Sequence, residues 1–474
     1  MNIIKDLKHI HFTGIKGVGM TSLALCLQDL GIQISGSDIP EVFVTDEILA
    51  KRKINWKAGF GKQNLKPRPD LVITTGAHGG LNNPEVIAAK KMGIPVLTHA
   101  EALGRITKGK DTIAVCGVGG KTTTSSMIAT LLDYGGLNPS FAIGVGNIFP
   151  LGVPARFDKM GNNFICEADE YANSFGVDNR PRFSYLTPKI LIVTNIEHDH
   201  PDLYPSLEET KKTFHEFFLK VGKDGLLIAC LDNLNVSQTI RGLGVPVATY
   251  GFNEKADWQI KDVYFKEAKT HFSLIARQEN KRYEDLVLNI PGRFNTQNAT
   301  AAFIAGRFLG LQEDPLRKGL EKYLGCRRRF EKIGEIDGVS IYDDYAHHPK
   351  ELKALLLAAK EWFGDRRVVA LFQPHTYSRT KALFNDFSRS FGDADVIAFM
   401  DIYASAREKP DLGVNSKKLA QEVKKYQRHV YYTAGQKETV SWIKREVRVG
   451  DVLITLGAGD IFHLHKNLLK TLHE

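Results

Sequence analysis

Residues 112–124 place a short apolar run, a glycine-rich turn and a Lys-Thr pair side by side, and this segment constrains the fold most strongly. The apolar run at 113–116 predicts a buried strand, and the pattern at 125–132 predicts a helix. A strand, a glycine loop and a helix in this order form a cradle for phosphate, because backbone N–H groups and the helix N-terminus face the anion. Glycine keeps Cβ atoms out of that cradle, and the lysine adds a point charge. The candidate phosphate-binding residues are Gly117, Val118, Gly119, Gly120, Lys121, Thr122 and Thr123.

A second interpretation of this segment stays open, namely a flexible strand–helix turn that contains a lysine by chance. The spacing Gly-x-x-Gly-Lys-Thr at 117–122 is shorter than the common Gly-x-x-x-x-Gly-Lys-[Ser/Thr] pattern. The strand and helix patterns on either side nevertheless favour a phosphate loop over the chance turn.

The composition indicates a globular chain of several domains. Its 474 residues exceed one ordinary core, and 43% hydrophobic with 25% charged residues is typical of soluble proteins. The formal net charge of +9 comes from basic residues interspersed with acidic ones. We therefore expect small anionic molecules as ligands and no nucleic acid.

Cysteine usage and hydropathy suggest where the chain works. Five scattered cysteines without a Cys-x-x-Cys pair favour reduced thiols in a cytoplasmic setting and disfavour a zinc site. The first residues lack the apolar core of a signal peptide, and no apolar segment is long enough to span a membrane. We expect a cytoplasmic protein without a membrane span.

The N-terminal region has a glycine turn of its own. A strand at 9–13, a turn at 14–20 and a helix at 21–30 precede a strand at 32–35 that ends at Gly36-Ser37-Asp38. This βαβ order with an acidic residue after the second strand resembles a dinucleotide fingerprint, although the glycines are not in its register. Three interpretations stay open: a site for NAD, a site for another diphosphate, or a plain connection between strand and helix.

Two groups of polar side chains follow predicted strands near the phosphate loop. The strand at 164–166 ends in Glu167, Asp169 and Glu170, and the strand at 190–194 is followed by a loop that ends in His198-Asp199-His200. Because parallel strands end at the same edge of a sheet, we expect both groups to lie beside the phosphate loop. Carboxylates there can hold Mg²⁺ bridged to nucleotide phosphates, and the alternative is a solvated acidic loop.

The last part of the chain repeats the order of strand, polar loop and helix. The segments at 339–349 and 368–380 follow this order, after a basic cluster at 327–329. Arg and His side chains at such strand ends can bind a carboxylate substrate. We therefore expect a third α/β domain that contributes to a ligand site.

Six segments, in chain order across the whole sequence, resemble the Mur ligases, the ATP-dependent amino-acid ligases of peptidoglycan synthesis. They are Gly-x-x-Gly-Lys-Thr-Thr-Thr at 117–124, Asn-Ile-Glu-x-Asp-His at 195–200, Pro-Gly-x-x-Asn at 291–295, Arg-Arg-Phe at 328–330, Asp-Asp-Tyr-x-His-His-Pro at 343–349 and Phe-Gln-Pro-His-x-Tyr-x-Arg-Thr at 372–380. The last two are most similar to the alanine-adding branch of the family. The chain departs from the family pattern at Lys16, Val118 and Gly119.

The resemblance implies an α/β fold of three domains. They are a Rossmann-like UDP-sugar-binding domain at 1–107, a central phosphate-loop ATPase domain with a mostly parallel sheet at 108–324, and a Rossmann-like amino-acid-binding domain at 325–474. It also implies a reaction in which ATP converts the carboxylate of UDP-N-acetylmuramate to an acyl phosphate, which the amine of L-alanine then attacks. The implied cofactors are ATP and Mg²⁺, and the implied assembly is a monomer or a weak homodimer.

The resemblance assigns site residues by position in this sequence. Those implied to be catalytic are Lys121, Glu167, His200, His348 and Arg379, of which Glu167 and His200 would surround Mg²⁺ together with Thr122. Those implied to contact ATP, besides the phosphate loop, are Asn295, Arg328, Arg329 and Asp344. Those implied to contact L-alanine are His375, Tyr377 and Arg379. Those implied to contact the UDP-sugar are Gly14, Gly17, Val18, Gly19, Met20, Ser37, Asp38, Thr75 and Gly76.

Two alternative functions stay open. One is the related ligase that adds a murein tripeptide to the same UDP-sugar, against which the Phe-Gln-Pro-His segment at 372–375 argues. The other is a nucleotide-binding protein with a degenerate ligase site, suggested by the altered glycine loops. Retention of Lys121, Glu167, His200 and Arg379 argues against it.

Overall fold

The computed structural model describes residues 7–200, 202–404 and 412–471. The chain groups into two compact units, each described by itself below. The first contains residues up to 263 together with 272–288 and 296–324. The second contains 264–271, 289–295 and the residues from 325 onward. The division into three domains at 107/108 and 324/325 stays a prediction.

The first unit opens with a sheet of five parallel strands in the order β3-β2-β1-β4-β5. This order reverses direction between β1 and β4, and ligands bind in the crevice outside such a switch point. The loops that follow β1 and β4 therefore border the expected crevice. The strands are β1 (His9–Thr13), β2 (Gln33–Asp38), β3 (Asn55–Ala58), β4 (Leu71–Thr74) and β5 (Val96–Thr98), and the helices are α1 (Val18–Asp29), α2 (Asp46–Lys51), α3 (Pro84–Lys91) and α4 (His99–Ile106).

A second, ten-stranded sheet follows in the order β17-β16-β15-β14-β13-β12-β6-β9-β7-β8. Its central strand β12 is buried along its whole length and reads Ile-Leu-Ile-Val, as expected for a parallel strand covered on both faces. Its strands are β6 (Asp111–Cys116), β7 (Ser140–Ala142), β8 (Ala155–Arg156), β9 (Asn163–Glu167), β12 (Ile190–Val193), β13 (Leu226–Cys230), β14 (Val247–Gly251), β15 (Trp258–Lys266), β16 (Lys269–Ala276) and β17 (Lys281–Leu288). A separate hairpin consists of β10 (Ala172–Ser174) and β11 (Asp178–Pro181), and the helices are α5 (Lys121–Tyr134), α6 (Leu207–Phe218), α7 (Leu234–Thr239), α8 (Arg293–Phe308) and α9 (Glu313–Lys322).

The second unit contains a six-stranded sheet in the order β18-β19-β23-β20-β21-β22, parallel except for the β18–β19 pair. Strand β20 shows how it is packed: Val368, Ala370 and Phe372 join one apolar cluster, and the residues between them join another. Helices therefore cover both faces. The strands are β18 (Glu331–Ile336), β19 (Val339–Asp344), β20 (Val368–Phe372), β21 (Val396–Phe399), β22 (Val430–Tyr432) and β23 (Val452–Leu456), and the helices are α10 (Pro349–Phe363), α11 (Tyr377–Ala382), α12 (Phe384–Ser388), α13 (Ser416–Val423), α14 (Gly435–Glu446) and α15 (Leu464–Thr471).

These sheets confirm the predicted α/β class with mostly parallel strands. The strand predicted at 9–13 is β1, with the same bounds. The helix predicted at 125–132 begins earlier, at Lys121, because the polar Lys-Thr-Thr-Thr run forms its first turn. Periodicity of apolar residues does not detect such a polar first turn.

All five cysteines are buried and unpaired. Burial raises the pKa of the Cys166 and Cys230 thiols to about 12 and also raises the pKa of Cys26 and Cys116. Among the residues described, no helix is long and apolar enough to cross a membrane.

A buried carboxylate joins β1, β2 and the segment after β3. The Glu85 side chain is fully buried at the start of α3. Its Oε2 accepts a hydrogen bond from Thr13 Oγ1 at 2.7 Å and another from Ser37 Oγ, and its Oε1 accepts one from Asn64 Nδ2 at 2.9 Å. His11 Nε2 lies 3.2 Å from Oε2. Burial alone would raise the pKa of Glu85, but the hydrogen bonds from His11, Ser37 and Thr13 outweigh it and lower the pKa to about 2.

Replacing this carboxylate tests its structural weight. We expect Glu85→Ala to lower the free energy of unfolding by roughly 3 kcal/mol, because its buried polar partners lose their acceptor. Urea unfolding, followed by circular dichroism, measures the effect. Lys90→Ala, an exposed change on the same helix, is the control, with an expected effect within about 0.5 kcal/mol. Equal stability of the two variants would contradict the assignment.

Candidate active site

The phosphate loop joins the end of β6 to the start of α5. Gly117 and Gly120 have φ angles of 124° and 86°, which L side chains rarely adopt. A Cβ on Gly117 would lie 2.3 Å from Thr194 Oγ1, so glycine is required there for space as well. Asn195 Oδ1 accepts a hydrogen bond from the N–H of Gly119 at 3.0 Å, and Asn195 Nδ2 donates to its carbonyl, also at 3.0 Å. The loop after β12 thus fixes the backbone of the phosphate loop.

Lys121 lies in a group of carboxylates. Its ammonium is 3.1 Å from Glu170 Oε2 and donates to the carbonyl of Gly117 at 2.5 Å. Burial alone would lower the pKa of Lys121, but the charges of Glu170, Asp169 and Glu167 outweigh it and raise the pKa. The lysine therefore carries a full positive charge at neutral pH.

Glu167 and Thr122 meet beside the phosphate loop. Thr122 Oγ1 donates to Glu167 Oε1 at 3.1 Å, and the N–H of Gly144 donates to the same oxygen at 2.8 Å. A carboxylate and a hydroxyl therefore share one position next to the first turn of α5.

His200 lies in the loop after β12, with a φ angle of 58°. Its ring centroid is 4.6 Å from that of Tyr171, and its Nε2 is 3.6 Å from Asp199 Oδ2. Burial alone would raise the pKa of Asp169, but the charges of Arg182 and Lys121 outweigh it and bring the pKa to about 2. The charge of His200 lowers this pKa by a smaller amount. His198 Nε2, by contrast, is 2.9 Å from the carbonyl of Tyr204. No group of three or more His, Cys, Asp or Glu side chains in the described part of the chain is arranged to hold a metal ion by itself.

The crevice expected at the switch point of the five-stranded sheet, called the first crevice below, is bordered by the turn after β1 and the loop after β4. A Cβ on Gly14 would lie 2.5 Å from Thr75 Cγ2, so the two loops are in close contact. Gly17 is the N-cap of α1, and Val18, Gly19 and Met20 form its first turn, where N–H groups lack partners within the helix. This geometry suits an anion.

Ser37 and Asp38, at the end of β2, contact the turn after β1. Both side chains are buried, and Asp38 Oδ2 accepts a hydrogen bond from the N–H of Lys16 at 2.7 Å. Asp38 Oδ1 accepts another from the N–H of Ile39 at 2.8 Å. The carbonyl of Ser37 accepts hydrogen bonds from the N–H groups of Gly14 at 2.8 Å and Ile15 at 3.2 Å. These two predicted ligand residues therefore hold the turn through hydrogen bonds within the protein.

In the second unit, the two predicted arginines have different surroundings. Arg328 is buried, with its Nε 2.9 Å from Asp343 Oδ2, and it donates to the carbonyls of Gly457 and Gly459. Its guanidinium is thus used within the fold. Arg329 is less buried and lies with its guanidinium carbon 5.1 Å from the Tyr345 ring centroid. The two arginines therefore differ in burial and in the groups that surround them.

Asp344 is buried at the end of β19. Its Oδ2 accepts a hydrogen bond from the N–H of Phe330, and its Oδ1 one from the N–H of Ala346, both at 2.7 Å. Burial raises the pKa of Asp344 to about 7, although the charge of Arg329 and the two N–H groups oppose this. His348, also predicted to be catalytic, is the N-cap of α10 and accepts a hydrogen bond from the N–H of Lys350 at 3.3 Å.

His375 and Arg379 form one cluster at the start of α11. Arg379 Nη1 is 3.2 Å from His375 Nδ1, and the His375 ring stacks on Tyr403 with centroids 5.7 Å apart. Burial, with the charges of His347 and Arg379, lowers the pKa of His375 to about 3, so the imidazole is neutral. Tyr377 is the first residue of α11. A cation beside a neutral ring suits a carboxylate ligand.

The predicted residues are thus divided between the two units. The phosphate loop, Glu167, His200 and the first crevice belong to the first unit, and the segment with Asn295 groups with the second. The side-chain amide of Asn295 donates to the carbonyl of Pro291 at 2.6 Å.

Arg182 also lies at this site, although nothing in the sequence indicates it. Its guanidinium is 2.6 Å from Asp169 Oδ2, and a Cβ on Gly76 would lie 3.0 Å from its Nη2. It therefore lies between the carboxylates after β9 and the loop after β4. No motif marks it, and its position follows only from the fold of the β10–β11 hairpin that precedes it.

Comparison with known protein families gives three matches in chain order. Residues 9–111 match the Mur ligase family catalytic domain, 115–306 the Mur ligase middle domain, and 328–459 the Mur ligase glutamate ligase domain. The UDP-N-acetylmuramate–L-alanine ligase of Desulfosudis oleivorans is 38% identical over 462 residues, covering 97% of this chain and 98% of that one. The enzyme of the same name from Geobacter sp. strain M21 is 38% identical over 466 residues, covering 98% and 97%.

Solved structures agree with this similarity. The UDP-N-acetylmuramate-alanine ligase from Thermotoga maritima superposes with a TM-score of 0.82 at 27% identity, covering 98% of both chains. A murein peptide ligase from Psychrobacter arcticus has a TM-score of 0.70 at 23% identity, covering 98% of this chain and 99% of that one, which shows a shared fold.

The raised pKa of Asp344 predicts a pH-dependent stability. In the folded state the carboxyl of Asp344 stays protonated up to about pH 7, whereas in the unfolded chain it loses its proton near pH 3.8. The contribution to stability is therefore fully present below pH 3.8 and is lost as the pH rises through 7, by roughly 1.4 kcal/mol per pH unit in between. Thermal unfolding of the wild type and Asp344→Asn across this range should show a difference that changes with pH. Asp365→Asn, an exposed change, is the control, and a constant difference for Asp344→Asn would refute the prediction.

Proposed function

Because this chain belongs to the Mur ligase family, we propose that it joins L-alanine to the carboxylate of UDP-N-acetylmuramate at the expense of ATP, in peptidoglycan precursor synthesis. The observation that carries the proposal is the phosphate loop with its charged Lys121 in a chain that matches alanine-adding ligases over its full length. The altered residues Val118 and Gly119 leave that loop anchored on Asn195.

A carboxylate is a poor electrophile, so the first step transfers the γ-phosphoryl group of ATP to it. The bond from the terminal phosphorus to its bridging oxygen breaks, a bond to the carboxylate oxygen forms, and ADP leaves. Catalysis of such a step is mostly positioning and charge stabilisation. The first-turn N–H groups of α5 and the Lys121 ammonium supply both, and the phosphates replace Glu170 as the lysine's principal partner.

Thr122 and Glu167 are the residues that would hold Mg²⁺. Their hydroxyl and carboxylate oxygens share one position beside the loop, and Mg²⁺ prefers oxygen ligands in company with phosphates. His200, on the loop after β12 and close enough to Asp169 to lower its pKa, would be a third ligand of Mg²⁺. A bound Mg²⁺ would neutralise charge on the phosphates.

In the second step the amine of L-alanine attacks the acyl carbon, and inorganic phosphate leaves. We assign Arg379 to the alanine carboxylate, which a guanidinium binds in a bidentate manner. His375 and Tyr377 would line the same pocket. The low pKa of His375 makes it a weak base, so we assign it to binding and not to proton transfer.

The first crevice would bind the UDP-sugar. The first turn of α1 offers N–H groups to the diphosphate, and Thr75 and Gly76 border the crevice on the other side.

We further propose a cytoplasmic protein, since its five unpaired cysteines are typical of a reducing compartment. We propose a monomer or a weak homodimer, which analytical sedimentation measures.

The reaction itself is the first test. Phosphate release from ATP and Mg²⁺ should require UDP-N-acetylmuramate and L-alanine together. Release that requires a murein tripeptide in place of L-alanine would make this chain the tripeptide ligase. ATP binding without release for any amino acid or tripeptide would favour the degenerate site.

Lys121 provides the second test. Lys121→Met should lower kcat by about 10³-fold, because the variant keeps the side chain's length but loses the charge that stabilises the transferred phosphoryl group. Steady-state phosphate release measures it, with Lys159→Met, an exposed change in the same unit, as the control. A Lys121→Met variant with kcat close to that of the control would remove Lys121 from the mechanism.

A further inference from the structure

Lys16 is a buried lysine inside the glycine turn at the first crevice. Its side chain is 1% exposed. A lysine in a glycine-rich turn is usually read as a phosphate ligand. Here the ammonium is enclosed by protein instead: it lies 4.3 Å from the ring centroid of Trp56 and 4.9 Å from that of Phe43. It is also 3.1 Å from Asp46 Oδ1.

Most partners of Lys16 belong to one short segment, residues 38–46, which begins at the last residue of β2. The ammonium donates to the carbonyls of Ile39 and Glu41. The backbone makes the same connection, since the N–H of Lys16 donates to Asp38 Oδ2 and its carbonyl accepts a hydrogen bond from Thr45 Oγ1 at 2.5 Å. One residue thus ties the turn to this segment through both its backbone and its side chain.

The buried ammonium of Lys16 is stable only while its partners remain in place. An ammonium removed from water is costly unless ion pairing, hydrogen bonds and aromatic faces replace its hydration. Those groups surround Lys16 only while residues 39–46 stay folded against the turn. The segment leaves β2 at the carboxyl edge of the sheet, beside the crevice where a doubly wound sheet binds its ligand. Its conformation therefore shapes that side of the crevice.

We propose that Lys16 is a positioning residue for the UDP-sugar: it holds the turn and residues 39–46 in the conformation that receives the nucleotide diphosphate, and does not contact the ligand. This inference rests on the proposed function, because it takes the UDP-sugar as the ligand of the first crevice. A pre-organised site binds more tightly because less ordering remains to be done on binding. Removing the ammonium should therefore weaken binding of the UDP-sugar and leave the chemical step unchanged.

The experiment compares Lys16→Met with Lys57→Met in the full chain. Methionine keeps the unbranched stem of Lys16 and removes only the charged group, and Lys57 is an exposed lysine next to Trp56 on β3. Calorimetric titration with UDP-N-acetylmuramate alone gives its Kd, and phosphate release gives KM for each substrate and kcat. Asp46→Asn, which keeps Lys16 but removes its counter-ion, is measured in the same way in case Lys16→Met does not fold.

For Lys16→Met, we expect the Kd and KM for UDP-N-acetylmuramate to rise about tenfold, with kcat and the KM for ATP within about twofold of the wild type. Asp46→Asn should move the same two constants in the same direction, and Lys57→Met should move neither. An unchanged Kd for UDP-N-acetylmuramate would overturn the positioning role. A weaker Kd that is accompanied by an equal loss of kcat and of ATP affinity would also overturn it. If the wild type binds the UDP-sugar without turnover, the proposed function fails, while the ratio of Kd values still decides the role of Lys16.

Discussion

The ion pair between Lys121 and Glu170 is the interaction on which the central site depends. It joins the phosphate loop after β6 to the loop after β9, two neighbouring parallel strands whose ends meet at one edge of the sheet. The lysine offsets a concentration of negative charge that would otherwise repel itself and any phosphate. Glu167 and Asp169 are tolerated so close together because this cation, with Arg182, compensates them.

Under the proposed function, the same charge balance would accommodate a nucleotide. A phosphate that entered the cradle would supply the negative charge that Glu170 supplies to Lys121 in this structure, so the buried lysine would keep an anionic partner. The glycines at 117 and 120 allow the loop to pack closely on its neighbours, because a Cβ on Gly117 would lie 2.3 Å from Thr194 Oγ1 and one on Gly120 would lie 2.8 Å from Asn298 Oδ1.

Local sequence pattern identified the elements around the glycine turns, although it missed the polar first turn of α5. The strand at 9–13 and the phosphate loop with its helix follow from apolar runs and glycine spacing, and the structure contains both. It was insufficient where segments distant in the chain meet. Nothing near Lys16 in sequence indicates that Trp56 encloses its ammonium, and nothing near Gly76 indicates Arg182. Likewise, nothing near Arg328 in sequence indicates its ion pair with Asp343, whose position beside Arg328 only the folded β18–β19 pair defines.

The buried thiols have a practical consequence. Thiol-specific reagents react with exposed thiolates, and in this chain all five cysteines are enclosed, four of them with a raised pKa. We therefore expect the native protein to react little with thiol-specific labels. A single cysteine introduced on the surface of each unit could carry a fluorophore or a spin label without prior removal of any natural cysteine, and such a pair would report distances between the units as substrates are added.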